Sequence, residues 1–445
     1  MVDDTPTGRA LDRRILHLAV PALGALIAEP LFILIDSAVV GHLGTAQLAG
    51  LTLASTLLVT TVALFIFLAY ATTGAVARKL GAGDERGALA LGLDGIWLAL
   101  LLGGVLLVVG LAGAEHVVRW MGASPEVAPH AVAYLRSSMP GIPGMLVVLA
   151  ATGALRGLQD TKTPLRVAVI GAIANAIGSV TLVYGLQMGI AGSGLATALA
   201  QIGMALALGW VVVRAARARS VSLRPAVGGI MNNARAGFPL LIRTLTLRVA
   251  ILLTVACATA LGEVPLAAHQ IVNSVWGLAA FALDALAIAA QALVGHGLGA
   301  RDPETVRRVV RRCLRWGTLA GAGLGAVIAG VGWLITPLFT SDPSVQQAAA
   351  LGLVVIGVLL PVASWPYVLD GVLMGAGDGR YLAGAGGIAL VLYLPLLGAV
   401  WMWAPGGATG LVWLWVSFAG GYMLARALTT WLRARGTRWM VLGAD

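Results

Sequence analysis

The sequence predicts an all-α membrane protein: twelve transmembrane helices in two six-helix lobes related by a pseudo-twofold axis along the membrane normal. Three observations predict it. Hydrophobic residues make up 59% of the chain and charged residues only 11%, with a mean hydropathy of +0.92, whereas a soluble domain carries about 25% charged residues. Apolar stretches of about 20 residues, each long enough to span a bilayer, recur along the chain. Finally, the chain repeats itself without gaps at an offset of 218 residues. Pro21 recurs as Pro239, Leu43-Gly44 as Leu261-Gly262, Leu80-Gly81-Ala82 as Leu298-Gly299-Ala300, Asp84 as Asp302, Pro143 as Pro361, Asp160 as Asp378 and Gly192 as Gly410. An apolar chain with two related halves points to a transporter with its substrate site between them.

The apolar stretches place six helices in the first half, near 15–40, 51–76, 88–112, 131–155, 165–186 and 192–214. Six more follow near 236–260, 270–295, 313–337, 349–373, 382–404 and 409–432. The N-lobe is assigned to residues 1–218 with the start of a linker, and the C-lobe to 219–445. The linker, about Arg214 to Arg235, is basic and broken by Arg224-Pro225 and Gly228-Gly229. Matched Gly-Asp turns at Gly81–Asp84 and Gly299–Asp302, and at Gly157–Asp160 and Gly375–Asp378, are read as helix stops and caps. They lack the Lys-Ser/Thr of a phosphate-binding loop and follow no strand.

Of the 29 Lys and Arg, 25 fall in one alternating set of segments. By the positive-inside rule both termini are cytoplasmic, and an even helix count per half gives the halves the same orientation. Arg426 is counted in this cytoplasmic set. The run from Arg301 to Arg315 is read as topology enforcement, with contact to anionic lipid as the alternative. The N-terminal acids Asp3, Asp4 and Asp12 make a poor signal peptide, so the first helix is expected to be retained. Cys257 and Cys313 fall at opposite membrane faces and cannot pair. No cysteine-based metal site is available.

The chemistry is sought in the few ionisable groups inside the membrane, which are functional candidates by default. The first helix holds Glu29 and Asp36, about 10.5 Å apart on nearly the same face. Pro30 between them, and Pro21 before them, are expected hinges. Asp36 is read as a proton-coupling carboxylate, since burial favours the neutral acid, against a plain interhelical hydrogen-bonding role. Glu29 is either a second proton site or an arginine's partner. Arg248, Asp284 and Asp370 are candidate gate or substrate residues, the two acids being read first as structural. Arg248 lies one residue past the repeat mate of Glu29, so a cross-lobe ion pair between them is an expectation. His42, Glu115, His116 and His269 fall near outer helix ends, where water can solvate them.

Several segments resemble the multidrug and toxic compound extrusion (MATE) family, in its DinF-like branch. The most specific are VPALGALIAEPLFILIDSAVVGHLG near Pro21–Gly44 and LAAHQIVNSVWGLAAFALDALAIAAQALVG from Leu266 to Gly295. Arg156–Pro164 and Gly189–Gly192 add to them. The resemblance covers essentially all twelve helices. It implies a monomeric exporter that exchanges an organic compound outward for H+ or Na+ inward, without cofactor, resident metal or nucleic acid, embedded in the plasma membrane. Asp36 matches the branch's coupling aspartate. Asn175 and Thr197 match polar positions of its N-lobe network, and Tyr134 is expected to line it. Ser179 stands where many relatives carry a second Asp, and the seventh helix lacks the acid that the NorM-like branch uses for Na+. H+ coupling is therefore expected, with Na+ as the alternative ion. The acid is confined to one lobe, because Asp36 maps by the repeat onto Thr254.

Acids beside aromatics such as Phe32, Tyr70 and Trp276 suit a lipophilic organic cation. Two other classes stay open. One is a flippase for lipids or lipid-linked precursors. The other is a membrane-embedded transferase, which would need clustered carboxylates for a metal-bound diphosphate, and no DxxxD or DDxxD pair occurs inside these helices.

Overall fold

The computed structural model describes residues 8–443, apart from the side chain of Glu29. Twelve helices are long and apolar enough to cross a membrane. They are α1 (Gly8–Gly41), α2 (Thr45–Gly81), α3 (Glu85–Trp120), α4 (Ala128–Gly157), α5 (Lys162–Gly185) and α6 (Gly189–Ala218). The second half supplies α7 (Val227–Ala260), α8 (Glu263–Gly299), α9 (Pro303–Leu338), α10 (Pro343–Gly375), α11 (Gly379–Trp403) and α12 (Gly407–Ala434). The described residues contain no strand. Most helices run several residues beyond their apolar stretch, and three of them start at polar caps. Asp84, Asp302 and Asp342 each accept a backbone N–H from the following first turn, at 2.7, 2.9 and 2.8 Å, satisfying one of the donors a helix start leaves open. The turns before these caps repeat as well. Gly83 and Arg301, one repeat apart, both take positive φ (78° and 57°), as do Gln159 and Gly377 (64° and 74°).

α1 is helical through both Pro21 and Pro30, and α7 through Pro239. Two spans carry π-helical turns, at Thr181–Gly185 in α5 and Val416–Tyr422 in α12.

The chain forms two compact units. One comprises 20–238; the other comprises the described parts of 1–19 and 239–445. The boundary falls about twenty residues past the expected 218/219 because the linker and the first turns of α7 are bonded to α3. Trp97 Nε1 donates to the Leu223 carbonyl at 3.1 Å, and Asn233 Nδ2 to the Leu91 carbonyl at 3.2 Å. The start of α1 is fastened to the second unit in the same way, with Asp12 accepting from Trp316 Nε1 at 3.0 Å and facing Arg312 at 3.5 Å.

Within the second unit α9 and α10 cross backbone to backbone. A Cβ at Gly325 would lie 2.1 Å from the Gly357 carbonyl oxygen, and one at Gly357 2.5 Å from that of Gly325, the close approach that small residues permit in membranes. The second unit's core is aromatic: Trp276, Tyr393, Trp415, Phe418 and Tyr422 pack with ring centroids 5.2–6.1 Å apart. Cys257 and Cys313 are buried free thiols.

Candidate functional site

Asp36, only 3% exposed, sits in a cage of donors drawn from three other helices of the first unit. Its Oδ1 accepts from Asn175 Nδ2 at 3.3 Å, Ser179 Oγ at 3.0 Å and Ser193 Oγ at 3.1 Å. Its Oδ2 accepts from Tyr134 OH and Thr197 Oγ1, both at 2.9 Å. The geometry follows from helical spacing. Asn175 and Ser179 on α5 are four residues apart, as are Ser193 and Thr197 on α6, so each helix offers two polar groups from one face. α4 supplies Tyr134. All five donor side chains are buried. The expected network of Tyr134, Asn175, Ser179 and Thr197 is assembled, and Ser193 joins it unforeseen. The available signal was its position one turn before Thr197.

The cage has a hydrogen deficit. Thr197 Oγ1 is also 3.3 Å from Asn175 Oδ1, yet a threonine hydroxyl carries one hydrogen. With Asp36 ionised, that hydrogen goes to the carboxylate and the Asn175 carbonyl is left without it. With Asp36 protonated on Oδ2, the acid donates to Thr197 and Thr197 donates to Asn175. One added proton completes a chain Asp36–Thr197–Asn175 while Tyr134, Ser179, Ser193 and Asn175 Nδ2 keep their bonds. The same heavy-atom geometry thus hosts both protonation states, and the added proton is what completes the Asp36–Thr197–Asn175 chain.

Asp36, Tyr134 and Thr197 also border a chamber of about 180 Å3 within this unit. Its walls are largely apolar, including Phe32, Leu58, Val62, Val148, Met204 and Leu208, with Arg156 and Gln201 as further polar groups. Of the aromatics expected around substrate, Phe32 lines this chamber, whereas Trp276 belongs to the second unit's core and Tyr70 is not among the lining residues.

The second unit has no such acid at the equivalent place. Asp36 maps onto Thr254 and Asn175 onto Tyr393, and these two hydroxyls still bond at 2.7 Å. The mate of Thr197 is the buried Trp415. Aromatic packing fills what the first unit keeps polar. His269, expected in water near a helix end, is instead buried and stacked on Trp415 at 5.2 Å. Glu115 does lie where solvent reaches it, paired with Arg119 and Arg136.

Asp370 belongs to an ion cluster. Its Oδ2 accepts from both Arg243 of α7 and Arg426 of α12, and Asp370 and Arg426 are 3% and 5% exposed. Arg426 therefore belongs to the helix interior and not to the surface charge in which its sequence position placed it. Asp284 on α8 is half-buried and, with Asp370, Arg243 and Arg426, within electrostatic reach of Tyr367. Arg248 is half-buried and makes no ion pair among the described residues. The side chain of Glu29 lies outside the described residues, and with it the expected Glu29–Arg248 pair. Among the described residues no cluster of three or more His, Cys, Asp or Glu side chains is placed to hold a metal ion.

Twelve spans in two repeated halves, one of them holding a caged acid beside an apolar chamber, define a multi-pass membrane transporter rather than an enzyme. The chain belongs to the MatE family, whose profile matches residues 21–181 and 239–397, one stretch in each half. It is 31% identical to Protein DETOXIFICATION 44, chloroplastic, of Arabidopsis thaliana, over 83% of this chain and 73% of that one. It is 29% identical to DNA damage-inducible protein F of Escherichia coli over 88% of each. A solved MOP superfamily transporter from Pyrococcus furiosus shares the fold at a TM-score of 0.85, with 22% identity and 96% of each chain covered.

Proposed function

We propose that this transporter exports lipophilic organic compounds, cationic ones foremost, in exchange for H+, and that Asp36 is the proton site. The observation that carries the reading is the cage around Asp36, which accommodates one added proton by reorienting one threonine hydroxyl. Protonation removes the charge and most of the demand for five donors, so it changes which arrangement of α1 against α4, α5 and α6 is favoured. A proton drives transport only through such a difference between states. Na+ fits the cage less well, because the Asn175 amide presents N–H and Ser179 replaces a possible second carboxylate. The chamber is similar in size to apolar cavities of about 150 Å3 that accept one aromatic ring, which favours a compact lipophile over a lipid-linked precursor. A relative named probable multidrug resistance protein NorM, of Thermotoga maritima, supports drug export. The arginine distribution supports insertion in the plasma membrane with both termini cytoplasmic.

The test is dye or drug uptake into proteoliposomes under an imposed pH or Na+ gradient. Uptake should follow the pH gradient and vanish for that gradient in Asp36→Asn. Transport driven by Na+ alone would assign the cage to the other ion.

A further inference from the structure

The turn before α9 and its first turns carry six arginines from Arg301 to Arg315, whereas the matching segment of the first half, 83–97, carries one cation, Arg86, with Arg78 and Lys79 just before it. Three cations therefore suffice for that turn, and the excess calls for another account. Arg312 and Arg308 are engaged within the protein, with Asp12 and with Thr305. Arg307, Arg311 and Arg315 are different. All three are exposed, and none makes an ion pair or hydrogen bond among the described residues.

Their spacing of four residues puts them in one sector of α9, an arc of about 80° over about 12 Å of rise. The sector continues along the helix as Leu319, Ala322, Ala326 and Trp333, all exposed. One acid, the exposed Glu304, lies a turn below and leaves the face net positive. The repeat shows that the fold does not require this pattern. One repeat earlier the same positions of α3 are Leu89, Leu93 and Trp97. There the two leucines are buried and the linker lies over Trp97 through its bond to Leu223. In the second half none of the described residues covers the equivalent face, which is armed with guanidinium groups.

We infer that this face of α9 is a binding site for an anionic phospholipid of the leaflet on the arginine side. The three guanidinium groups meet the phosphate, and the acyl chains run along Leu319, Ala322 and Ala326 toward Trp333. Arginine suits the role because its planar donor fork matches phosphate oxygens, and its stem can follow apolar surface while its head stays at the interface. Each cation near an anionic surface adds about a fivefold gain in affinity.

The experiment is native mass spectrometry of the purified full-length protein in neutral detergent, titrated with phosphatidylglycerol or phosphatidylcholine. The wild type should retain phosphatidylglycerol in clear preference. Arg307→Gln, Arg311→Gln and Arg315→Gln should each lower its binding about fivefold. The triple glutamine variant should bind both lipids alike, and the triple lysine variant should keep the preference. Glycerol 3-phosphate, a headgroup without chains, should compete poorly. Retained preference in the triple glutamine variant, no preference in the wild type, or full displacement by glycerol 3-phosphate would each overturn the assignment. The single variants and the lysine variant keep the test decisive if the triple glutamine variant does not fold.

Discussion

Asp36→Asn offers a direct reading of the hydrogen arrangement in the cage. Asparagine has the shape of the acid, and its carbonyl oxygen can take the place of Oδ1, accepting from Asn175, Ser179 and Ser193. Its NH2 then takes the place of Oδ2. It donates to Thr197, which donates to Asn175, as in the protonated acid. The Tyr134 hydroxyl, 2.9 Å from Oδ2, can then only accept the second amide N–H, and its own hydrogen loses its acceptor. A buried hydroxyl left unsatisfied costs about 1–3 kcal/mol. Tyr134→Phe in the wild-type background forfeits a bond to the acid, again about 1–3 kcal/mol. In the Asp36→Asn background the same change removes the orphaned hydroxyl and should cost nothing or restore stability. Thermal unfolding of the four proteins in detergent closes the cycle. The double variant should be at least as stable as Asp36→Asn, giving a coupling of about 1–3 kcal/mol between the two changes. Strict additivity would refute the assignment of Tyr134 as a donor to Asp36.

Three further outcomes follow from other parts of the chain. Ser193→Ala removes one bond to Asp36 Oδ1 and should lower stability by about 1–3 kcal/mol, measured by the same unfolding; a change within 0.3 kcal/mol or so would place Ser193 outside the cage. Asp370→Asn should destabilise by about 3–5 kcal/mol, since it strands Arg243 and Arg426, whereas Arg243→Met, Asp370→Leu and Arg426→Met together should come close to wild type; equal losses in both would argue against an ion cluster. At the α9 cap, partial burial pushes the Asp302 carboxyl up, but bonds from the Thr305 hydroxyl and N–H, the charge of Arg308 and the Glu304 N–H outweigh it and hold it below its ordinary value. Its contribution to stability is then present above the unfolded-state pKa and lost as pH falls through the lower folded value. The acid limb of a pH–stability curve should flatten in Asp302→Asn, and an unchanged limb would discount the cap.

The twelve spans were legible because hydropathy over twenty residues is a bulk property that no single side chain decides. The caps at Asp84 and Asp302 were legible too, in the repeated Gly-Asp turns, whereas Asp378 in the fourth such turn makes no cap bond and pairs with Arg433. The cage was legible only in part. Asp36 stands out as an acid in an apolar run, but a serine such as Ser193 is unremarkable inside a helix until α5 is known to bring donors to the same carboxylate oxygen. Arg426 was misplaced for a related reason. A cation near a helix end looks like an interface residue unless Asp370, 56 residues away, is known to meet it. His269 shows the same limit, since nothing in its neighbours along the chain announces the stack on Trp415. The unequal halves are instructive here: Thr254 and Tyr393 keep the hydrogen-bonded frame of the site without its acid, so the repeat reveals architecture while the chemistry rests on one substitution.

With Asp36 as the proton site of an exchanger, substrate binding and proton binding are linked through that residue. The most direct measurement is proton release on substrate binding, followed with a pH indicator in weakly buffered detergent solution of the purified protein. Where Asp36 is protonated at the start, adding a transported dye should release about one proton per molecule bound by the wild type and none by Asp36→Asn. Equal release from both proteins would contradict the assignment of Asp36 as the coupling site.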